Sequence, residues 1–231
     1  MKDANGSGRI YWVGGSKGGV GKSMMTVAVL DHLLERSTPV LLVECDRSNP
    51  DVWKAYREQV ETELIDLDEA DGWIHLVNTC DRYRDGVVVI NTAARNNLAV
   101  KQYGRTLDSS LEELGSKLVA LWMIHRQRDS LELLKELMVA VPKAEAHVVR
   151  NEYCGDENEV ELYNGSNLRD AVESRGGKSI TLPDLADRVA NDIDVNRLSL
   201  GAAAQSLPLG NRAELARWRG EVRKVLAEVL G

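Results

Sequence analysis

The chain has 231 residues, 29 Lys and Arg against 36 Asp and Glu, and a formal net charge of -7. At 43% hydrophobic and 28% charged residues it is too apolar for intrinsic disorder and too charged for a membrane-embedded protein. Its acidity also argues against strong nucleic-acid binding by net charge, although net charge hides local patches.

The length suits one domain, 1–231, and with no Phe its core must rest on Leu, Val, Ala and a few Trp. Cys45, Cys80 and Cys154 are widely spaced, with no C-x-x-C pair, and predict free thiols in a reducing compartment. Residues 1–9 are polar and lack the apolar stretch of a signal peptide. No run approaches the ~18 apolar residues of a membrane span. The expectation is a cytoplasmic protein.

In chain order, a short apolar run at 10–14 ends in glycine, and helical periodicity follows over 23–36. Residues 39–45 (PVLLVEC) read as a strand buried on both faces. Helices are predicted at 51–60 and 70–82, with 64–67 extended between them. A second apolar strand, GVVVI, covers 86–90. Residues 97–114 are helical, in one piece or in two around Gly104. A strand at 117–124 precedes a helix at 129–139 with Asp129 or Ser130 as N-cap. Strand-like 146–150, helical 168–173 and a strand at 179–182 stopped by Pro183 come next. The polar stretch 152–166 is the most mobile on composition. Three helices close the chain, the last amphipathic and covering about 211–230. Alternating strands and helices predict an α/β fold, a doubly wound, mostly parallel sheet with helices on both faces. Chemistry is then expected at the carboxyl ends of the strands.

Residues 14–23 read GGSKGGVGKS, directly after a strand and opening a helix, the context a phosphate-binding loop requires. The pattern K-G-G-x-G-K-[ST] arises by chance in only ~10⁻⁵–10⁻⁴ of chains this long. Gly18, Gly19 and Gly21 let backbone N–H groups approach phosphates at a helix N-terminus. Lys22 would reach the β- and γ-phosphates, and the Ser23 hydroxyl would hold Mg²⁺. Nucleotide contacts are therefore expected along Gly18, Gly19, Val20, Gly21, Lys22, Ser23 and Met24.

The loop carries Ser16 where the general pattern has its first glycine, and a second lysine, Lys17, before the glycine pair. This form resembles the deviant phosphate loop of the ParA/MinD family of ATPases. The resemblance implies ATP and Mg²⁺ as cofactors. It also implies a homodimer in the ATP state, with Lys17 reaching the partner subunit's nucleotide. The plain reading of Lys17 is a solvated loop cation. VLLVECD resembles the family's second motif, an apolar strand closing in acid-x-Asp, with Glu44 where the first acid is usually Asp. The resemblance gives Asp46 the task of orienting the attacking water near Mg²⁺. Its plain alternative is a cap for the turn DRSNPD. Asn91-Thr92-Ala93 stands where the family has Asp-Thr-Pro. Asn91 can still bond a metal-bound water but brings no charge. That bears on Mg²⁺ affinity and hydrolysis rate and leaves nucleotide binding intact.

Asn151 matches an asparagine that in the family reads adenine, a base suited by a paired donor and acceptor; otherwise it is a turn residue. Pro183 matches the segment that walls the base. His125-Arg126-Gln127-Arg128 follows a strand end, facing a partner, phosphate or DNA, or forming a solvated loop. The C-terminal helix pairs an apolar stripe (Leu215, Trp218, Val222, Val225, Leu226, Val229) with Arg212, Arg217, Arg219, Arg223 and Lys224. It docks on the domain, or contacts non-specific DNA or a membrane surface; Glu214, Glu221 and Glu228 interrupt the basic face and weaken both contacts.

The function implied is an ATP-driven dimer switch that positions or partitions DNA or another cargo, with turnover stimulated by a partner protein. KGGVGKS, ECDRSNPDVWKAY and VVVINTAARNN resemble the ParA-like accessory proteins of conjugative and mobilisable plasmids, of which TraL is one. A second reading is a nucleotide-binding adaptor with little turnover, motivated by Asn91. A small-molecule synthetase on the same fold lacks visible substrate residues. An iron–sulfur carrier lacks clustered cysteines.

Overall fold

The computed structural model describes residues 8–155 and 160–230. Their elements in chain order are β1 (Gly8–Gly15), α1 (Lys22–Leu34), β2 (Val40–Glu44), α2 (Asp51–Tyr56), β3 (Glu61–Leu64), α3 (Ala70–Arg82), β4 (Val87–Asn91), α4 (Asn97–Leu114), β5 (Ser116–Ile124), α5 (Arg128–Ala140), β6 (Glu145–Asn151), α6 (Glu161–Asn164), α7 (Asn167–Glu173), β7 (Ser179–Leu182), α8 (Asp187–Val195), α9 (Leu200–Ser206) and α10 (Leu209–Leu230). Short 3-10 turns at Ala94–Asn96 and Glu152–Cys154 follow β4 and β6.

The strands form one seven-stranded sheet in the order β3-β2-β4-β1-β5-β6-β7, and every pairing is parallel. Strand side chains alternate between faces, so each buried strand feeds two cores. Tyr11, Val13, Leu42 and Val89 pack with α1 and α10 on one face. Ile10, Trp12, Leu41 and Val88 pack with α3, α4 and α5 on the other. Large aromatics take the place of Phe: Trp73, Trp122 and Trp218 are fully buried. Trp12 and Trp73 stack with centroids 5.7 Å apart, and the Trp73 indole donates to the Leu67 carbonyl at 3.0 Å, satisfying its polar edge. The three cysteines are free. Among the described residues no helix is long and apolar enough to cross a membrane.

Three boundaries depart from the sequence expectation, and the open question of whether α4 breaks is decided. Strand β3 lies at 61–64 rather than 64–67; it is a half-exposed edge strand, and its polar residues ETEL give no hydropathy signal. Helix α2 ends at Tyr56 because the chain must turn there to reach β3. Helix α4 runs unbroken through Gly104: a Cβ there would lie 3.1 Å from Val141 Cγ2 and 3.3 Å from Ala140 Cβ, so the glycine permits close packing on α5. The N-cap of α5 is Gln127, neither Asp129 nor Ser130. Ser130 Oγ instead accepts the His125 N–H at 3.3 Å and closes the preceding loop. The polar stretch at 152–166 supplies a 3-10 turn and α6; its residues 156–159 lie outside the described residues.

Candidate functional site

The carboxyl ends of β1, β2, β4 and β6 converge around a cavity of about 530 Å³. The phosphate-type loop forms its floor. Gly19 and Gly21 hold positive φ angles of 79° and 100°, and Gly21 is the N-cap of α1. At Gly21 a second constraint applies: a Cβ would lie 2.4 Å from Asn151 Nδ2, so a side chain there would displace the Asn151 amide as well as strain the backbone. The loop is braced from two sides. The Asn97 amide donates to the Gly15 carbonyl at 3.3 Å, and Ser16 Oγ lies 2.6 Å from His125 Nε2.

The two loop lysines have opposite surroundings. Lys22 is buried, and its Nζ donates to the Lys17 carbonyl at 2.6 Å. Burial pushes its pKa down to about 8, partly offset by the nearby Asp46 carboxylate. Lys17 is exposed, outside the cavity, with its Nζ 3.8 Å from Asp129 Oδ2.

Gly18, Gly19, Gly21, Lys22, Ser23, Met24, Asp46, Asn91, Asn151 and Pro183 all line the cavity. The Val20 side chain lies in the core, and its carbonyl accepts from Asn151 Nδ2 at 3.2 Å. Asp46 both lines the cavity and caps its turn, accepting the Asn49 N–H at 3.1 Å. Arg95 Nη1 lies 3.7 Å from Asp46 Oδ1, and Arg95 Nε donates to Asp68 at 2.7 Å.

Behind this wall runs a buried hydrogen-bond chain. Thr26 Oγ1 contacts the Lys22 carbonyl and Asn91 Oδ1, each at 2.9 Å. Asn91 Nδ2 donates to both Glu44 carboxylate oxygens, at 2.9 and 3.1 Å. Glu44 Oε1 also accepts the Asp46 N–H at 2.9 Å. Glu44 is fully buried, which pushes its pKa up to about 7 against the lowering effect of these donors.

At the far end, Asn151 Oδ1 accepts the Tyr153 N–H at 3.2 Å, and the exposed Tyr153 ring stands at the cavity rim. The Pro183 carbonyl accepts the Trp218 indole N–H at 2.8 Å, so α10 holds this wall. Sequence reasoning gave Trp218 only a core role and missed the bracing by Asn97, Thr26 and Arg95. A buried threonine one turn into α1 was the one local signal. The basic face of α10 is largely consumed by ion pairs. Arg219 bonds Asp31 on α1 and Glu35 at its C-cap, Arg223 bonds Glu35, all at 2.8 Å, and Arg217 bonds Glu214 and Glu221 at 2.6 Å.

The arrangement suits a polyphosphate with a divalent cation. The positive end of α1, the loop N–H groups and Lys22 attract anionic oxygens. Ser23, Asp46 and Asn91 bring a hydroxyl, a carboxylate and an amide to the same cavity, oxygen donors of the kind Mg²⁺ prefers, with the Asn91 Oδ1 already accepting from Thr26.

No family model matches the chain. It is 64% identical over 221 residues to Protein MobD of Acidithiobacillus ferrooxidans, covering 96% of this chain and 97% of that protein. Among solved structures it resembles the septum site-determining protein MinD of Pyrococcus horikoshii OT3 complexed with Mg-ADP. That likeness has a TM-score of 0.54 at 15% identity and covers 95% of this chain and 97% of MinD. A nucleotide-binding protein of Archaeoglobus fulgidus in complex with ADP aligns with a TM-score of 0.51 at 12% identity, over 87% of this chain and 91% of that one. These likenesses identify the fold as that of the MinD-type P-loop proteins.

Proposed function

Because the chain belongs to the MobD family, carried on a MinD-type P-loop fold, we propose that it is an ATP-dependent dimerising switch of the cytoplasm. The observation that carries this reading is the convergence of Lys22, Ser23, Asp46 and Asn91 on one cavity at the N-terminus of α1. Lys22 and the loop N–H groups hold the phosphates. Ser23, Asp46 and Asn91 hold the cation, which supplies charge neutralisation when bound. Asp46 orients the attacking water. Asn151 and Pro183 take the base. Lys17, exposed outside the cavity, completes the partner subunit's site. The cargo is a DNA-transfer or partition complex, and a partner protein stimulates slow hydrolysis.

The ion pairs of Arg219 and Arg223 argue against DNA contact through α10. One observation favours the second reading, a nucleotide-binding adaptor with little turnover: the Asn91 amide brings no charge and is engaged by Glu44 and Thr26.

Calorimetric titration with ATP and Mg²⁺ tests nucleotide binding. Wild type should bind, and Lys22→Ala should lose affinity by about 100-fold or more, from loss of a charge-assisted phosphate contact in a buried site. Equal affinity in the two would refute the site. Turnover measured in the same samples separates the switch from the adaptor.

A further inference from the structure

Tyr153 is 66% exposed. Single exposed aromatics are common on protein surfaces and need no function. Tyr153 differs because it lines the cavity, on a turn that is fixed from three sides. Asn151 and Leu182 are register partners at the ends of β6 and β7, so the chain leaves the sheet side by side at Glu152 and Pro183. Asn151 Oδ1 accepts the Tyr153 N–H at 3.2 Å, Glu152 Oε2 accepts the Asp184 N–H at 3.1 Å, and the Cys154 thiol reaches the Gly19 carbonyl at 3.9 Å. These contacts tie the 3-10 turn to the strand end, to the segment of Pro183 and to the phosphate loop. The ring is left open. Among the described residues it stacks on no other side chain, and its hydroxyl has no hydrogen-bond partner.

Recognition of a base by its edge is thin in this cavity. The Asn151 amide has two N–H donors and two acceptor lone pairs. One donor is spent on the Val20 carbonyl at 3.2 Å and one lone pair on the Tyr153 N–H. One of each remains. The segment after β7 adds Leu182, Pro183 and Leu185, an apolar surface that suits the face of a flat heterocycle and reads no edge. A base resting there offers its second face to the rim. An aromatic ring on that face supplies affinity whatever the base, because every base has a π-face.

We infer that Tyr153 is the stacking platform for the nucleotide base, covering the face that Pro183 leaves open. The inference rests on the nucleotide reading above. It makes the base end a slot with a rigidly placed floor and an aromatic lid carried on a braced turn.

The experiment is calorimetry with Mg²⁺ present, on wild type, Tyr153→Ala and Tyr153→Phe. Two ligands are titrated, ATP and inorganic tripolyphosphate, which shares the phosphates and lacks the base; tripolyphosphate is also measured in competition with ATP. Tyr153→Ala should weaken ATP about tenfold and tripolyphosphate by less than about twofold. Tyr153→Phe keeps the ring and should hold ATP within about threefold of wild type. A purely structural role would weaken both ligands alike. The inference is overturned if Tyr153→Ala binds ATP as wild type does, if it loses both ligands equally, or if Tyr153→Phe is as weak as Tyr153→Ala. A Tyr153→Ala chain that fails to fold also overturns it, because so exposed a side chain would then be serving the fold. Wild type that binds tripolyphosphate as tightly as ATP keeps the phosphate site and loses the platform. Wild type that binds neither ligand defeats the nucleotide reading itself.

Discussion

The two ends of the cavity are built differently. The phosphate end is made by residues at the tips of central strands and in the first turn of α1, most of them buried and joined by short hydrogen bonds: Lys22, Thr26, Glu44, Asn91. The base end is made by a 3-10 turn after β6 and the segment after β7, with Tyr153 exposed and Pro183 held by an indole from a helix 35 residues away in sequence. Chemistry that needs fixed charges is placed on the rigid centre of the sheet. Recognition of the base is assigned to loops, and α10 supplies the missing rigidity from outside.

The largest effect should come from removing that outside support. Trp218 is fully buried, so Trp218→Ala should cost ~3–5 kcal/mol of stability, read as a shift in the urea midpoint. Trp218→Phe keeps most of the packing and frees the Pro183 carbonyl. It should weaken ATP about fivefold, as expected for one lost hydrogen bond of about 1 kcal/mol. If Trp218→Phe leaves affinity unchanged, the wall does not depend on α10.

The phosphate end has a protonation signature. Burial lowers the Lys22 pKa to about 8, so above that pH the free protein carries a neutral amine there. Phosphate binds the charged form better. Nucleotide binding above pH 8 should therefore take up a proton, and affinity should fall by up to about tenfold per pH unit until the bound-state pKa is reached. Calorimetry at pH 8.5–9.5 in buffers of different ionisation enthalpy measures the uptake directly. Zero uptake would mean that Lys22 does not meet the phosphates. Folding gives the opposite sign. The folded pKa lies below the unfolded value, so the desolvation cost of Lys22 is full below pH 8 and fades toward 10.5. Wild type should gain stability relative to Lys22→Met over that window.

The smallest effect belongs to the periphery. Arg223 is half-exposed, and Arg223→Gln should cost less than about 1 kcal/mol while leaving ATP affinity unaltered. A large loss of affinity would show that the contact between α10 and α1 tunes the phosphate end.

The same contrast decides what could be read in the sequence. The phosphate loop, β2 and β4 were legible because buried central strands are continuous apolar runs and the glycine spacing has one main use. Asp46, Asn91 and Asn151 were legible as strand-end residues, and the structure places all three on one cavity. Glu44 was visible only as a departure from a motif. Its partner lies 47 residues away, and nothing local announces the contact. Trp218 sits on an apolar helical stripe, where packing explains it fully; its second role depends on where Pro183 falls in space. The charges of α10 read as a basic face because their partners, Asp31 and Glu35, lie on α1 and at its C-cap. Strand β3 was displaced because edge strands need not be apolar.

The central claim, a nucleotide-driven dimer completed by an exposed lysine, is tested most directly by molar mass from light scattering. The samples are wild type, Asp46→Ala and Lys17→Ala, each with no nucleotide, with ADP, and with ATP and Mg²⁺. A dimer should form only with ATP, persist in Asp46→Ala and be lost in Lys17→Ala. A mass that ignores nucleotide while ATP remains bound would contradict it and leave the adaptor reading in its place.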